Sequence, residues 1–464
     1  MSNKYFFKKN IAILGLSKSG ISTIKFLQKK GLVPIGWDDD KEIRKKAKQQ
    51  GIKVENLQKI NSQEFSFLIV SPGIHTIGFK KHVVIKKAEI EGVEIINDIE
   101  LFFRLNPGSK CIGVTGTNGK STTVSLISHV FNKIKIKNSV GANIGKPIFE
   151  LRKPGSGFYI LEISSFQLEL MKSSRFQIAV FLNITNDHLE RHGSLQKYAS
   201  EKMKIFNNQE EDDLSVLGVD NKISNNLLKR IKKKNKSKVL TISGVNNQSN
   251  IYVKNNCLYI NCILKKKKKI TKKVNLEKFK NITGSHNYQN IAAVYAVLLQ
   301  LGFFHWKKIE KAIQTFIGLP HRLQKVREIN SVTYINDSKA TNLDSTDKAL
   351  SNYKNIYWIL GGRAKEKNLS TLKKHFFKIK HAFLLGETQK LYANYLKKYL
   401  KYTITKDLKH AVCLAHELAQ KSLIKNKKTI PVVLFSPACS SLDEWKNFEE
   451  RGNTFIKLVK KLNN

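Results

Sequence analysis

The chain has 464 residues, 41% hydrophobic and 25% charged, so it buries real cores and divides into about three domains at ~150 residues each. Disordered and collagen-like chains are excluded, and the longest apolar stretch, 291–304, is broken by Gln300 and Gly302 and falls short of the roughly 20 residues that cross a bilayer. The net charge of +46 raises nucleic acid as a partner, but only 10 of the 82 basic residues are Arg; lysines spread over solvated faces are the simpler reading, and no nucleic-acid partner is expected. Five cysteines without a CxxC pair argue against a disulfide framework or zinc ribbon, and the first ten residues lack an apolar core of signal-peptide length. A cytoplasmic, reducing setting is expected.

Short β-rich runs alternate with helical patterns, which predicts an α/β fold of mainly parallel sheets covered by helices. The first unit opens with a strand at 10–14, the turn Gly15-Leu-Ser-Lys-Ser-Gly20, a helix to about residue 30 and a strand at 33–37 that ends in Asp38-Asp39-Asp40. A glycine turn entering a helix, with an acid about 20 residues on, places phosphate on the helix N-terminus and ribose or base on the acid. Ser17 stands where GxGxxG has its middle glycine, so a ligand-free strand-turn-helix stays open. A strand at 65–70 runs into Ser71-Pro72-Gly73, and a helix at 98–105 leads to Asn106-Pro-Gly-Ser109. A domain boundary is expected near residue 98.

The second unit begins with a strand at 110–114 and the loop Thr115-Gly116-Thr117-Asn118-Gly119-Lys120-Ser121-Thr122, followed by a helix to about residue 131. Glycine-rich amides, a lysine as point charge and a hydroxyl able to ligate Mg²⁺ form a phosphate cradle. Two apolar strands follow: 158–163 contains Glu162 and leads to Ser164-Ser165-Phe166-Gln167, and 178–184 leads to Thr185-Asn186-Asp187-His188. A carboxylate inside an apolar strand must meet a cation, either Mg²⁺ or a nearby Lys. His188 and His192 stand four apart, but the order is HLERH and Gly193 ends any helix, which argues against zinc. Lysine runs at 229–238 and 265–273 flank strand-like segments at 251–253 and 257–264 and read as charge-defended hairpin edges. Asn287 and Asn290, three apart at the start of an apolar helix at 291–301, could bond a purine or cap the helix. The third unit has strands at 332–336, 356–360, 382–385 and 430–435, ending in Asp337-Ser-Lys-Ala-Thr341, Gly361-Gly362, Gly386-Glu387 and Ser436-Pro-Ala-Cys-Ser-Ser441. These ends predict a second face of chemistry, with a nucleotide triphosphate and an anionic substrate meeting between domains.

The phosphate loop, Glu162-Ile-Ser-Ser-Phe-Gln167, Asn183-Ile-Thr-Asn-Asp-His188, His286-Asn287 with Asn290, Pro320-His-Arg322, Asp337-Ser-Lys-Ala-Thr-Asn342 and Ser436-Pro-Ala-Cys-Ser-Ser-Leu-Asp443 together resemble the Mur ligases of peptidoglycan synthesis. Lys446-Asn-Phe-Glu-Glu-Arg-Gly452 is similar to their D-glutamate-adding branch. The resemblance implies three domains: a Rossmann-like UDP-sugar domain at 1–98, a P-loop-like ATP domain at 99–319 and a Rossmann-like amino-acid domain at 320–464. It implies a cytoplasmic, monomeric enzyme that uses ATP and two Mg²⁺ ions to join D-glutamate to UDP-N-acetylmuramoyl-L-alanine through an acyl phosphate. By the same resemblance Lys120, His188 and Lys202 are catalytic, with Lys202, in Tyr198-Ala-Ser-Glu-Lys202, carbamylated by CO₂. Ser121, Glu162, His188 and the carbamate of Lys202 would hold metal. Gly116 to Thr122, Asn287, Asn290, His321, Arg322 and Asp337 would bind ATP. Leu16, Ser17, Lys18, Asp38, Ser71, Pro72, Gly73 and Asn143 would bind the nucleotide sugar, and Lys339, Thr341, Lys365, Ser441 and Phe448 the glutamate. Two positions depart from the family pattern: Ser17, and Arg363 where some relatives carry Asp. The phosphate loop alone would also admit folylpolyglutamate synthase, against which the 436–443 run and the uridine-type first domain count. A basic nucleic-acid binder with a vestigial ATP site, or a sensor that binds the nucleotide sugar without turnover, are the readings from other classes.

Overall fold

The computed structural model describes residues 10–463 apart from 79, 246–247, 264–268, 283, 365–367 and 426–428. Its first sheet gathers β1 (Asn10–Leu14), β2 (Ile35–Trp37), β3 (Lys53–Val54), β4 (Phe65–Val70) and β5 (Ile95–Ile96) in the order β3-β2-β1-β4-β5, every pairing parallel. Ile11 and Ile13 enter one apolar cluster with Phe67 and Ile69, while Ala12 and Leu14 enter another with Leu68 and Val70. Both faces of the sheet are covered, which is why these strands are apolar throughout. The strand order reverses between β1 and β4, so the turns after those two strands part and leave a crevice at their carboxyl ends.

The second sheet has nine strands. β6 (Cys111–Thr115), β7 (Asn138–Ala142), β8 (Phe158–Glu162), β9 (Ile178–Phe181), β10 (Leu214–Gly218) and β11 (Lys238–Ile242) are parallel in the order β11-β10-β9-β6-β8-β7. β12 (Ile251–Lys254) continues them in parallel, and β13 (Cys257–Ile263) and β14 (Lys269–Asn275) complete an antiparallel edge. Helix Ser285–Gln300, buried continuously from Gln289 to Leu299, joins helix Lys120–Lys133 on one face. Here the chain again turns back beside its first strand: β7 and β8 lie to one side of β6, and β9 to β11 to the other. The ends of β6, β8 and β9 are therefore neighbours. One lysine run differs from expectation. Residues 229–234 close helix Lys222–Lys234 instead of flanking a hairpin, because Leu227 and Ile231 bury one face and leave Lys229, Lys232 and Lys233 on the other. Of the second run, 265–268 lie outside the described residues, while Lys269 to Lys273 open the edge strand β14.

Residues up to 316 form one compact unit and those from 317 another. The second unit holds β15 (Gln324–Ile329), β16 (Val332–Asn336), β17 (Ile356–Gly361), β18 (Ile379–Leu385), β19 (Tyr402–Ile404) and β20 (Val432–Phe435) in the order β15-β16-β20-β17-β18-β19. β15 is antiparallel to β16 and the other pairings are parallel. Trp358 is fully buried at the sheet centre and donates its Nε1–H to the Ser436 carbonyl at 2.9 Å, which joins the ends of β17 and β20. Among the described residues no helix is long and apolar enough to cross a membrane.

Candidate active site

At the end of β1 the backbone turns through Gly15, whose φ of 93° suits glycine; a Cβ there would lie 2.8 Å from that of Ser71. Ser71 donates to the Gly15 carbonyl at 2.7 Å, and Asp38 accepts the Leu16 N–H at 2.8 Å. Those two contacts shape the turn that presents Ser17 and Lys18 at the exposed start of helix Lys18–Gln28. Pro72 and Gly73 lie beside it, after β4.

The phosphate loop leaves β6 through Gly116 and enters helix Lys120–Lys133 through Gly119, with φ of 150° and 83°. Asn183, after β9, braces it by donating through its carboxamide to the Asn118 carbonyl at 3.2 Å and accepting the Asn118 N–H at 2.9 Å. Its amide also donates to Gln289, which donates to Asp220. Lys120 Nζ folds over the loop onto the carbonyls of Gly116 at 2.9 Å and Thr117 at 2.8 Å. Ser121 and Thr122 are buried in the first helical turn. Asn290 is buried too: its amide reaches Asn287 at 3.1 Å and its oxygen accepts from Thr123.

Beside the loop, Glu162 ends β8 with 3% of its surface exposed. Asn143 donates to its Oε1 at 2.8 Å, and its Oε2 is buried without a hydrogen-bond partner. Lys202 is also buried, its Nζ donating to the Gly116 carbonyl at 2.9 Å and lying 4.6 Å from the centre of the Tyr198 ring. Burial, reinforced by the charge of Lys120, holds its amine well below the usual lysine range, while Asp187 and Glu162 oppose that shift. His188 caps the single-turn helix Leu189–His192 with φ 51°, and its ring meets that of Phe166 edge-on at 4.9 Å. A cavity of about 140 Å³ is lined by Lys120, Asn143, Ser164, Ser165, Phe166, Asp187, His188, Tyr198 and Lys202. It is large enough for a phosphate-sized group and presents two amines.

In the unit from 317, His321 is buried with φ 61° and pairs through Nδ1 with Asn336 at 3.0 Å. Asp337 accepts from the Leu323 N–H and the Ser436 hydroxyl; burial dominates and pushes its carboxyl up to about 7. Lys339 lies 5.3 Å from the Phe448 ring centre, and Ser338 donates to the Phe448 carbonyl. The fully buried Arg451 donates to the carbonyls of Ser338, Cys439 and Ser440, which joins the 337–339 loop to the one carrying Ser441. Arg322 and Thr341 are half-buried beside them. Lys365 lies outside the described residues, and Arg363 pairs with Glu387 at 2.8 Å on the surface.

The sequence matches three family models, described as Mur ligase MurD-like, N-terminal domain at 9–97, Mur ligase middle domain at 114–298, and Mur ligase, glutamate ligase domain at 321–439. It is 37% identical to the UDP-N-acetylmuramoylalanine--D-glutamate ligase of Rickettsia bellii, over 98% of both chains. It is 36% identical to the protein of that name from Paramagnetospirillum magneticum, over 97% of this chain and 96% of that one. The chain belongs to the Mur ligase family. Among solved structures, UDP-N-acetylmuramate-alanine ligase MurC of Thermotoga maritima shares the fold at a TM-score of 0.57 and 16% identity, covering 97% of this chain and 99% of its own. A pseudomurein peptide ligase type C of Methanothermus fervidus does so at 0.56 and 17%, covering 98% and 100%.

Mur ligases use ATP and Mg²⁺, and the donor set suits that ion. The orphaned Glu162 oxygen and the Ser121 hydroxyl are hard donors, and Mg²⁺ takes few protein ligands alongside phosphate oxygens. Among the described residues no group of three or more His, Cys, Asp or Glu stands together. His192 does not itself line the cavity but sits behind it: its Nε2 lies 3.0 Å from the Oγ of the lining residue Ser165, and burial lowers its pKa to about 4. Ser164, Ser165, Phe166, Asp187 and Tyr198 line the cavity without being site residues expected from sequence, although all but Tyr198 lie in the segments that follow β8 and β9. The strand-end rule was the signal that finds those four.

Proposed function

We propose that this Mur ligase joins D-glutamate to UDP-N-acetylmuramoyl-L-alanine with ATP, forming an amide in peptidoglycan precursor synthesis. Residues 1–98 bind the nucleotide sugar, 99–319 the ATP and 320–464 the amino acid. The observation that carries this reading is the cavity beside the phosphate loop, where the amines of Lys120 and Lys202 and the ring of His188 gather. The difficulty of the reaction is electrostatic, because a carboxylate must approach a triphosphate. Lys120 supplies a point charge to the phosphates, and the loop amides hold them for in-line attack. A substrate carboxylate oxygen then bonds to the γ-phosphorus as the bond to ADP breaks. The glutamate amine next attacks the acyl carbon, loses a proton and expels phosphate.

Ser121 and Glu162 would hold one Mg²⁺, and His188 with a Lys202 carbamate a second; bound there, the ions neutralise charge on the phosphates. The lowered pKa of Lys202 supports the carbamate, since a free amine forms the N–C bond to CO₂ with release of one proton. Asn143, which donates to Glu162, contacts the muramoyl part of the nucleotide sugar, and Leu16, Ser17, Lys18, Asp38 and Ser71 to Gly73 bind its uridine diphosphate. Asn287, Asn290, His321, Arg322 and Asp337 serve the nucleoside of ATP, and Lys339, Thr341, Lys365, Ser441 and Phe448 the glutamate. The enzyme acts as a cytoplasmic monomer. Phosphate release measured with each substrate omitted in turn tests the reading: turnover is expected only with all three and with D-glutamate over L-glutamate. Release independent of glutamate would sink it.

A further inference from the structure

We infer that Arg191 is a positioning residue that ties the loop after β4 to the wall of the phosphate cavity, an inference that rests on the proposed reaction. Its side chain is 3% exposed, as is that of Glu169, and the two meet through a fork: Nε donates to Oε1 at 3.0 Å and Nη2 to Oε2 at 2.7 Å. The same guanidinium then reaches the first domain. Nη2 also donates to Thr76 Oγ1 at 3.1 Å, and Nη1 to the Pro72 carbonyl at 3.4 Å. The Thr76 hydroxyl in turn donates to Glu169 Oε2. Pro72 belongs to the Ser71-Pro72-Gly73 turn assigned to the nucleotide sugar, so the guanidinium holds that turn by its backbone.

Its flat face does something else. The guanidinium carbon lies 4.0 Å from the centre of the Phe166 ring, and Phe166 both lines the cavity and packs against His188. A single helical turn such as Leu189–His192 does not hold its own place, because nucleation is unfavourable without further turns. Its position comes from side chains: Arg191 through Glu169 and Thr76, and His192 through Ser165. His188 immediately precedes this turn and accepts the Arg191 N–H through its carbonyl at 3.1 Å. A displaced Arg191 therefore moves the nucleotide-sugar turn and the His188 side of the cavity together. A buried ion pair adds little net stability over apolar packing, whereas a planar fork fixes an orientation that a lysine point charge does not.

Initial rates of wild type, Thr76→Val and Arg191→Lys, with nucleotide sugar, ATP and glutamate varied in turn, test the inference. Thr76→Val deletes the hydroxyl and leaves the ion pair. It is expected to raise KM for the nucleotide sugar about tenfold or more, the size of one hydrogen bond to a charged group, with kcat and KM for ATP within about twofold of wild type. Arg191→Lys keeps the charge without the fork and is expected to raise the same KM and lower kcat at least about tenfold. A nucleotide-sugar KM unchanged in Thr76→Val, or equal changes in all three KM values, overturns the inference. Should Arg191→Lys fail to fold, Thr76→Val decides alone. A wild type that releases no phosphate overturns the proposed reaction instead, which keeps the two failures apart.

Discussion

Lys202 concentrates the electrostatic argument in one side chain. Its amine is buried beside Lys120, so the folded protein sheds the proton more readily than the unfolded chain, whose lysine keeps the ordinary value of 10.5. Between the lowered pKa and that value the unfolded state binds more protons, and this group's contribution to stability rises with pH across the window. Lys202→Ala is expected to lose nearly all turnover while still binding the nucleotide sugar by calorimetry; near-normal phosphate release would remove the carbamate assignment. Asp337 has the opposite sign. Its carboxyl, pushed up to about 7 from 3.8, favours the folded state below the unfolded value, and that advantage is lost as pH rises through about 7. Asp337→Asn is therefore expected to stabilise the ligand-free protein by about 2–3 kcal/mol more at pH 8 than at pH 5, read from chemical denaturation. At this scale the sequence reveals Glu162, since a carboxylate in an apolar strand demands a cation. It does not reveal that Asn290 holds Thr123 or that Asp38 shapes the Leu16 turn, because those partners are 167 and 22 residues distant.

The phosphate loop works as an element because strand, turn and helix are fixed from three sides. Gly119 shows how tightly: a Cβ there would fall 2.5 Å from the Asn290 side-chain oxygen on a backbone with φ 83°. Gly119→Ala combines that overlap with left-handed strain of ~1 kcal/mol or more, and should raise KM for ATP at least about tenfold while sparing nucleotide-sugar binding. Equal ATP saturation in the variant and wild type would contradict this. Elements flanked by sharp turn chemistry are legible from sequence, as β1, β4 and helix Asp98–Leu105 are; Asn97 caps that helix by accepting the Glu100 N–H. β7 is harder to read because, at the edge of its sheet, four of its five residues are only half-buried, so no apolar run marks it. Lysines on helix Lys222–Lys234 hide its apolar stripe for a related reason: the solvated face outnumbers the buried one.

Across the whole molecule, a net charge of +46 makes self-repulsion a standing cost to the folded state. Raising NaCl from 0.1 to 0.5 M shortens the screening length from ~10 to ~4 Å, so the melting temperature is expected to rise by a few degrees. A fall would show that attractive surface pairs outweigh the repulsion. The same excess of cations favours a reaction between anions, and in the proposed reaction the groups at the ends of β6, β8 and β9 let a carboxylate attack ATP. The most direct measurement supplies nucleotide sugar with both oxygens of its terminal carboxylate replaced by ¹⁸O and weighs the phosphate released in a complete reaction. One labelled oxygen in each phosphate is the predicted result. Unlabelled phosphate accompanying normal amide formation would contradict the acyl-phosphate route and the role given to the site.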